Sequence, residues 1–116
     1  SAASDVYKRQ AYYISAVTVK YLGETKFTEE KYLQVSEELF VMEKEHGRVV
    51  KYSEAFTIPK MKSTLNYLEN LKLISKNDKN EYEVIDHKKV NTLIEKFNRD
   101  INDQVAINIK FNSDEN

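Results

Sequence analysis

The chain has no cysteine and no tryptophan, and only two glycines and one proline among its 116 residues. Without cysteine, disulfides, zinc–thiolate centres and thiol nucleophiles are excluded, and cysteine usage says nothing about compartment. The glycines, Gly23 and Gly47, are isolated, so no glycine-rich loop can cradle a phosphate. So few glycines and prolines point to helices joined by few tight turns. Charge of one sign is also missing: 18 basic and 19 acidic residues leave a formal net charge of −1, which advertises no polyanion partner. The most apolar stretch, Ala11–Leu22, is too short to cross a bilayer and contains Lys20. The length suits one small domain with one core.

The first ten residues, Ser1 to Gln10 (SAASDVYKRQ), resemble the reading-frame translation of an adapter used in sequencing libraries. They are set aside as one sets aside a tag, which moves the net charge from −1 to −2. The expectation is then an N-terminally truncated fragment of a longer chain, with a single helical domain over 11–107 and a frayed polar tail over 108–116.

The most informative stretch is Ile58–Val90, IPKMKSTLNYLENLKLISKNDKNEYEVIDHKKV. Pro59 suits the first position of a helix, where a missing N–H costs nothing. Met61, Leu65, Leu68 and Leu71 recur at three- and four-residue steps and form one apolar face. Leu73-Ile74-Ser75 then reads as a strand, Asn77 to Asn80 as a polar turn of residues that tolerate left-handed backbone, and Tyr82 to Ile85 as the return strand. Asp86 can cap the next helix, whose apolar positions Val90, Leu93/Ile94, Phe97, Ile101 and Val105 step by three or four. Helix, hairpin and helix in this order are winged-helix-like.

Upstream, Ala11–Leu22 is expected to be helical, with Gly23 as its stop. Thr28 caps a second helix with Glu29 and Glu30 in its first turn and Phe27 and Tyr32 at the hydrophobic-staple positions. Tyr32, Val35, Leu39 and Met42 form its buried stripe, broadened by Phe40 and Val41, and Gly47 ends it. Arg48–Thr57 is a connector with room for a short strand or helical turn. The fold class is mainly α: about four helices with one small β-hairpin.

Candidate sites are few. His46 beside a helix-ending glycine interacts favourably with the helix carboxyl end, and His87 falls in the first turn of the last helix. Neither has the spacing of a metal site, so no metal and no cofactor is expected. No residues combine as nucleophile, base and orienting group, so no catalytic residue is assigned. A nucleic-acid module would use the helix from Lys60 to Lys72 for recognition, with Lys62, Asn66 and Asn70 facing outward and Lys76 in the wing. Ile58–Val90 holds seven lysines against five acidic residues, a net of only +2, whereas nucleic-acid binders concentrate positive charge to gain counterion release. That balance argues for packing against protein. Half-exposed tyrosines (Tyr12, Tyr52, Tyr67) fit a surface that docks on missing upstream chain.

Several segments together resemble the C-terminal region of the glycerol-3-phosphate / dihydroxyacetone-phosphate acyltransferase family. These are Tyr32–His46 (YLQVSEELFVMEKEH), the helix and strand pair of Leu65–Ile85, and Phe97-Asn98-Arg99-Asp100 followed by Gln104-Val105-Ala106-Ile107. The last resembles a Tyr-Tyr-Arg-Asn segment followed by a histidine and apolar residues; Arg99 matches, while Asn98 replaces an aromatic and Gln104 the histidine. The family's H-x4-D signature is absent, since Lys51 and Thr92 stand where His46 and His87 would need the aspartate. The resemblance implies a non-catalytic C-terminal region of a glycerolipid O-acyltransferase, packed on an upstream catalytic domain of the same chain in a membrane-associated parent. The alternative is a winged-helix interaction module that binds a protein partner or, against its charge balance, nucleic acid.

Overall fold

A computed structural model describes the backbone of residues 2–47 and 56–100, with side chains from Lys8 onward. The order is α1 (Ala2–Leu22), β1 (Phe27–Thr28), α2 (Glu29–Glu45), α3 (Ile58–Asn70), β2 (Ile74–Lys76) and β3 (Glu81–Val84), followed by helical residues 87–100, here α4. The protein is mainly helical, with a winged-helix-like unit built from α3, the β2–β3 hairpin and α4. The hairpin gains a third strand that the sequence reading did not place. β1 pairs antiparallel with β3, Phe27 opposite Tyr82 and Thr28 opposite Glu81, so the sheet order is β1-β3-β2. α1 begins at Ala2 and is continuous across the 10/11 boundary. Residues 48–55 of the connector expected over Arg48–Thr57, Tyr52 among them, and everything from Ile101 on lie outside the described residues.

The caps explain most boundaries. Thr28 Oγ1 accepts from Lys31 N at 3.1 Å, Thr57 Oγ1 from Lys60 N at 3.2 Å, and Asp86 Oδ1 from Lys89 N at 3.0 Å. Each satisfies an N–H that the first helical turn leaves without a partner. Because Thr57 is the cap of α3, Pro59 sits at the second helical position rather than the first. α2 ends at His46, with Gly47 at φ +70 beyond it. α3 ends in a Schellman motif. Lys72 N donates to Glu69 O at 2.9 Å, Leu73 N donates to Leu68 O at 3.1 Å, and Lys72 occupies the left-handed position at φ 64. That motif uses the N–H of Leu73, so β2 starts one residue later than the sequence pattern places it. β3 runs Glu81–Val84, one residue earlier than the sequence pattern places it, and Ile85 is exposed. In the wing turn, Asn77 Oδ1 accepts from Lys79 N and Glu81 N, both at 2.9 Å, and Asn80 takes φ 61.

The core gathers Ile14 and Val19 of α1, Tyr32 of α2, Met61, Leu65 and Leu68 of α3, Ile74 of β2 and Val90 of α4. Phe97 of α4 is buried as well. Phe27 and Tyr82 stack with centroids 5.7 Å apart and fasten the sheet. Gly23 closes α1 because of space. A Cβ there would run into the Val84 side chain and the Val19 carbonyl, so only glycine lets α1 and β3 approach.

Two faces differ from expectation. On α2 the fully buried residues are Tyr32, Ser36 and Phe40, while Val35 and Leu39 are half-buried and Met42 and Val41 are exposed. The i, i+4 column that carries hydroxyls faces the core, and the more apolar column beside it runs along the core's margin, with Leu39 packed against it and Met42 exposed. On α3, Leu71 is exposed because it is the cap and no longer on the helical face.

Candidate interaction face and the buried hydroxyl cluster

Lys62, Asn66 and Asn70 are four residues apart and fall on one exposed stripe of α3. Ser63 flanks the stripe, and Lys76 is exposed on β2, the strand that follows. The four residues singled out in the sequence are therefore exposed on α3 and the wing. Their electrostatics are another matter. Lys62 Nζ lies 3.5 Å from Glu29 Oε1, a pair about half exposed on both sides. Lys76 Nζ sits 5.9 Å from the centroid of the Tyr82 ring. The Tyr82 phenol is raised above its ordinary value, first by burial and then by the charges of Glu69 and Glu29. Two carboxylates thus act on the junction of α3 and the sheet. Of the two lysines singled out on this face, Lys62 has an acid beside it and Lys76 a ring.

Beneath this face lies a feature the sequence reading missed. The Tyr32 hydroxyl is 2.7 Å from Ser15 Oγ of α1, 2.9 Å from Met61 O and 3.0 Å from Thr64 Oγ1 of α3. Thr64 Oγ1 also donates to Met61 O at 2.8 Å. Tyr32 and Ser15 are fully buried and Thr64 nearly so. Burial is the main cause that pushes the Tyr32 phenol up to about 12, against the opposing hydrogen bonds from Ser15 and Thr64. Two further hydroxyls on the same helices close locally, Thr18 on Ile14 O at 2.7 Å and Ser36 on Leu33 O at 2.9 Å. The signal was present in the sequence: Ser15, Thr18 and Ser36 interrupt otherwise apolar faces. At pH 7 the phenol is neutral and hydrogen-bonded on all sides, so the cluster is built to hold three helices together.

Of the tyrosines expected to be half exposed, Tyr12 and Tyr67 are so, but they are occupied. Tyr12 stacks on Tyr67 at 4.7 Å and on Phe97 at 5.7 Å, tying α1 to α3 and α4. His46 and His87 are exposed. Among the described residues no three His, Asp or Glu side chains gather as metal ligands, and no helix is long and apolar enough to cross a membrane.

Comparison with models of known families, with curated proteins and with solved structures finds no match.

Proposed function

We propose that the chain is a winged-helix-like interaction module that docks a protein partner on the outward stripe of α3 and the adjoining wing. The supporting observation is the pairing of Lys62 with Glu29 on that stripe. It presents a mixed, hydrogen-bonding surface of Lys62, Asn66 and Asn70 with little free positive charge, which suits a polar protein surface better than a phosphate backbone. The acyltransferase resemblance supplies one candidate for that partner, the catalytic part of a glycerolipid O-acyltransferase on the same chain. Codons upstream of Ala11 that encode an H-x4-D block would support that candidate.

The test uses the absence of cysteine. Asn66→Cys introduces one thiol on an exposed turn of α3, and a fluorophore placed there reports docking on that face. Labelled protein titrated with duplex and single-stranded DNA is expected to show no anisotropy change at nucleic-acid concentrations of about 100 µM, the weak end of ordinary non-specific binding. Binding that falls steeply with salt and drops on Lys62→Ala and Lys76→Ala would overturn the protein-partner reading in favour of nucleic acid.

A further inference from the structure

A groove of about 610 Å³ runs between α1 and α2, and no residue of α3 lines it. Its apolar lining is Val17 and Tyr21 from α1 and Val35, Leu39 and Met42 from α2. Tyr21 is 75% exposed and Met42 47%, an unusual exposure for an aromatic and a methionine on neighbouring helices. Aromatic residues and methionine are the types enriched where protein surfaces meet. The charged residues on this lining are Lys31 and Glu38.

The placement of those two charges identifies the occupant. They are seven residues apart on α2, two helical turns, so they share a face about 10.5 Å apart along the axis. The point midway between them falls at Gln34 and Val35, and Val35 lines the groove. If α2 of a second copy lies antiparallel across this face with a twofold axis beside Val35, Lys31 meets Glu38 of the partner subunit. By the same symmetry Glu38 meets the partner subunit's Lys31. The patch is complementary to itself in charge, with Val35 between the pairs and Leu39 and Met42 on the apolar lining beyond them, as an isologous interface requires. We infer that the α1–α2 groove is the contact face of a symmetric dimer of this chain, with α2 packed antiparallel on α2.

Sedimentation equilibrium of the full chain tests this at concentrations up to about 1 mM, where even weak association registers. The expected result is a species of twice 13.6 kDa. Lys31→Glu and Glu38→Lys each turn two attractive pairs into two repulsive ones, and each should weaken the dimer by about tenfold or more. Mixing the two single variants in equal amounts should restore association, because every facing pair is then of opposite sign. Both positions are exposed, and circular dichroism of each variant verifies that the fold is kept. A monomer throughout, a dimer that neither reversal weakens, or a mixture that fails to re-associate would overturn the assignment.

Discussion

Tyr32→Phe removes one oxygen from the point where α1, α2 and α3 meet, and little else. The ring remains, so no cavity larger than a hydroxyl appears. What is lost is the contact to Ser15 Oγ at 2.7 Å, to Met61 O at 2.9 Å and to Thr64 Oγ1 at 3.0 Å. Thr64 keeps its bond to Met61 O at 2.8 Å, so Ser15 Oγ is the group that loses its side-chain partner in the interior. A buried polar group left without its partner costs about 1–3 kcal/mol, and that is the expected loss in urea unfolding followed by circular dichroism, at unchanged m-value. Tyr21→Phe, on an exposed tyrosine and at concentrations too low for self-association, serves as the control and should stay within about 0.5 kcal/mol of wild type. The pH dependence adds a second readout. The folded phenol is raised to about 12 from about 10 in the unfolded chain. The corresponding stability is fully present below pH 10 and is lost as pH rises toward 12, by about 1.4 kcal/mol at pH 11. Wild type should therefore lose its advantage over Tyr32→Phe as pH rises from 9 to 11. A variant as stable as wild type at pH 7, or a stability gap that stays constant to pH 11, would refute the reasoning.

Two backbone positions give simpler tests. Gly23→Ala sets a Cβ against the Val84 side chain and the Val19 carbonyl and should cost about 1–3 kcal/mol, read as a lowered thermal midpoint; an unchanged midpoint would mean that α1 and β3 are further apart than described. Lys72→Gly works in the other direction. It relieves a left-handed residue at φ 64 and should raise stability by about 0.5–1 kcal/mol in the same urea assay, and a loss of stability would show that the Lys72 side chain matters more than its backbone.

The elements visible in the sequence were those specified by local chemistry. Thr28 and Asp86 cap their helices through contacts three residues away, and Asn77–Asn80 closes its turn on itself; the cap Thr57, one residue before the stretch Ile58–Val90, was not read. The apolar column of α3 is correct at Met61, Leu65 and Leu68 because that helix buries one face in the ordinary way. β1 was hidden because two residues carry no periodicity: Phe27–Thr28 becomes a strand only because β3, more than fifty residues on, lies beside it. The α2 face was read correctly at Tyr32 and Phe40 and missed at Val41, Met42 and Ser36 for a related reason. Hydropathy favours Val35, Leu39 and Met42, yet the helix turns Tyr32 and Ser36 inward, since Tyr32 finds hydroxyl and carbonyl partners on two other helices. The stripe chosen on α3 was legible as exposed, but the Lys62–Glu29 pair that alters its charge joins residues far apart in sequence.

The hydroxyl cluster also bears on how the two proposed surfaces relate. An apolar core tolerates sliding of one helix on another, whereas a phenol with partners on two other helices at about 3 Å does not, because satisfied buried polar networks favour one arrangement. Tyr32 follows Lys31, which lines the α1–α2 groove, and its hydroxyl reaches Met61 and Thr64 on α3. Met61 directly precedes Lys62, at the start of the outward stripe. The same oxygen therefore fixes α2 beneath one surface and α3 beneath the other. A change at either surface alone should leave the other in place, while Tyr32→Phe loosens the register of both at once.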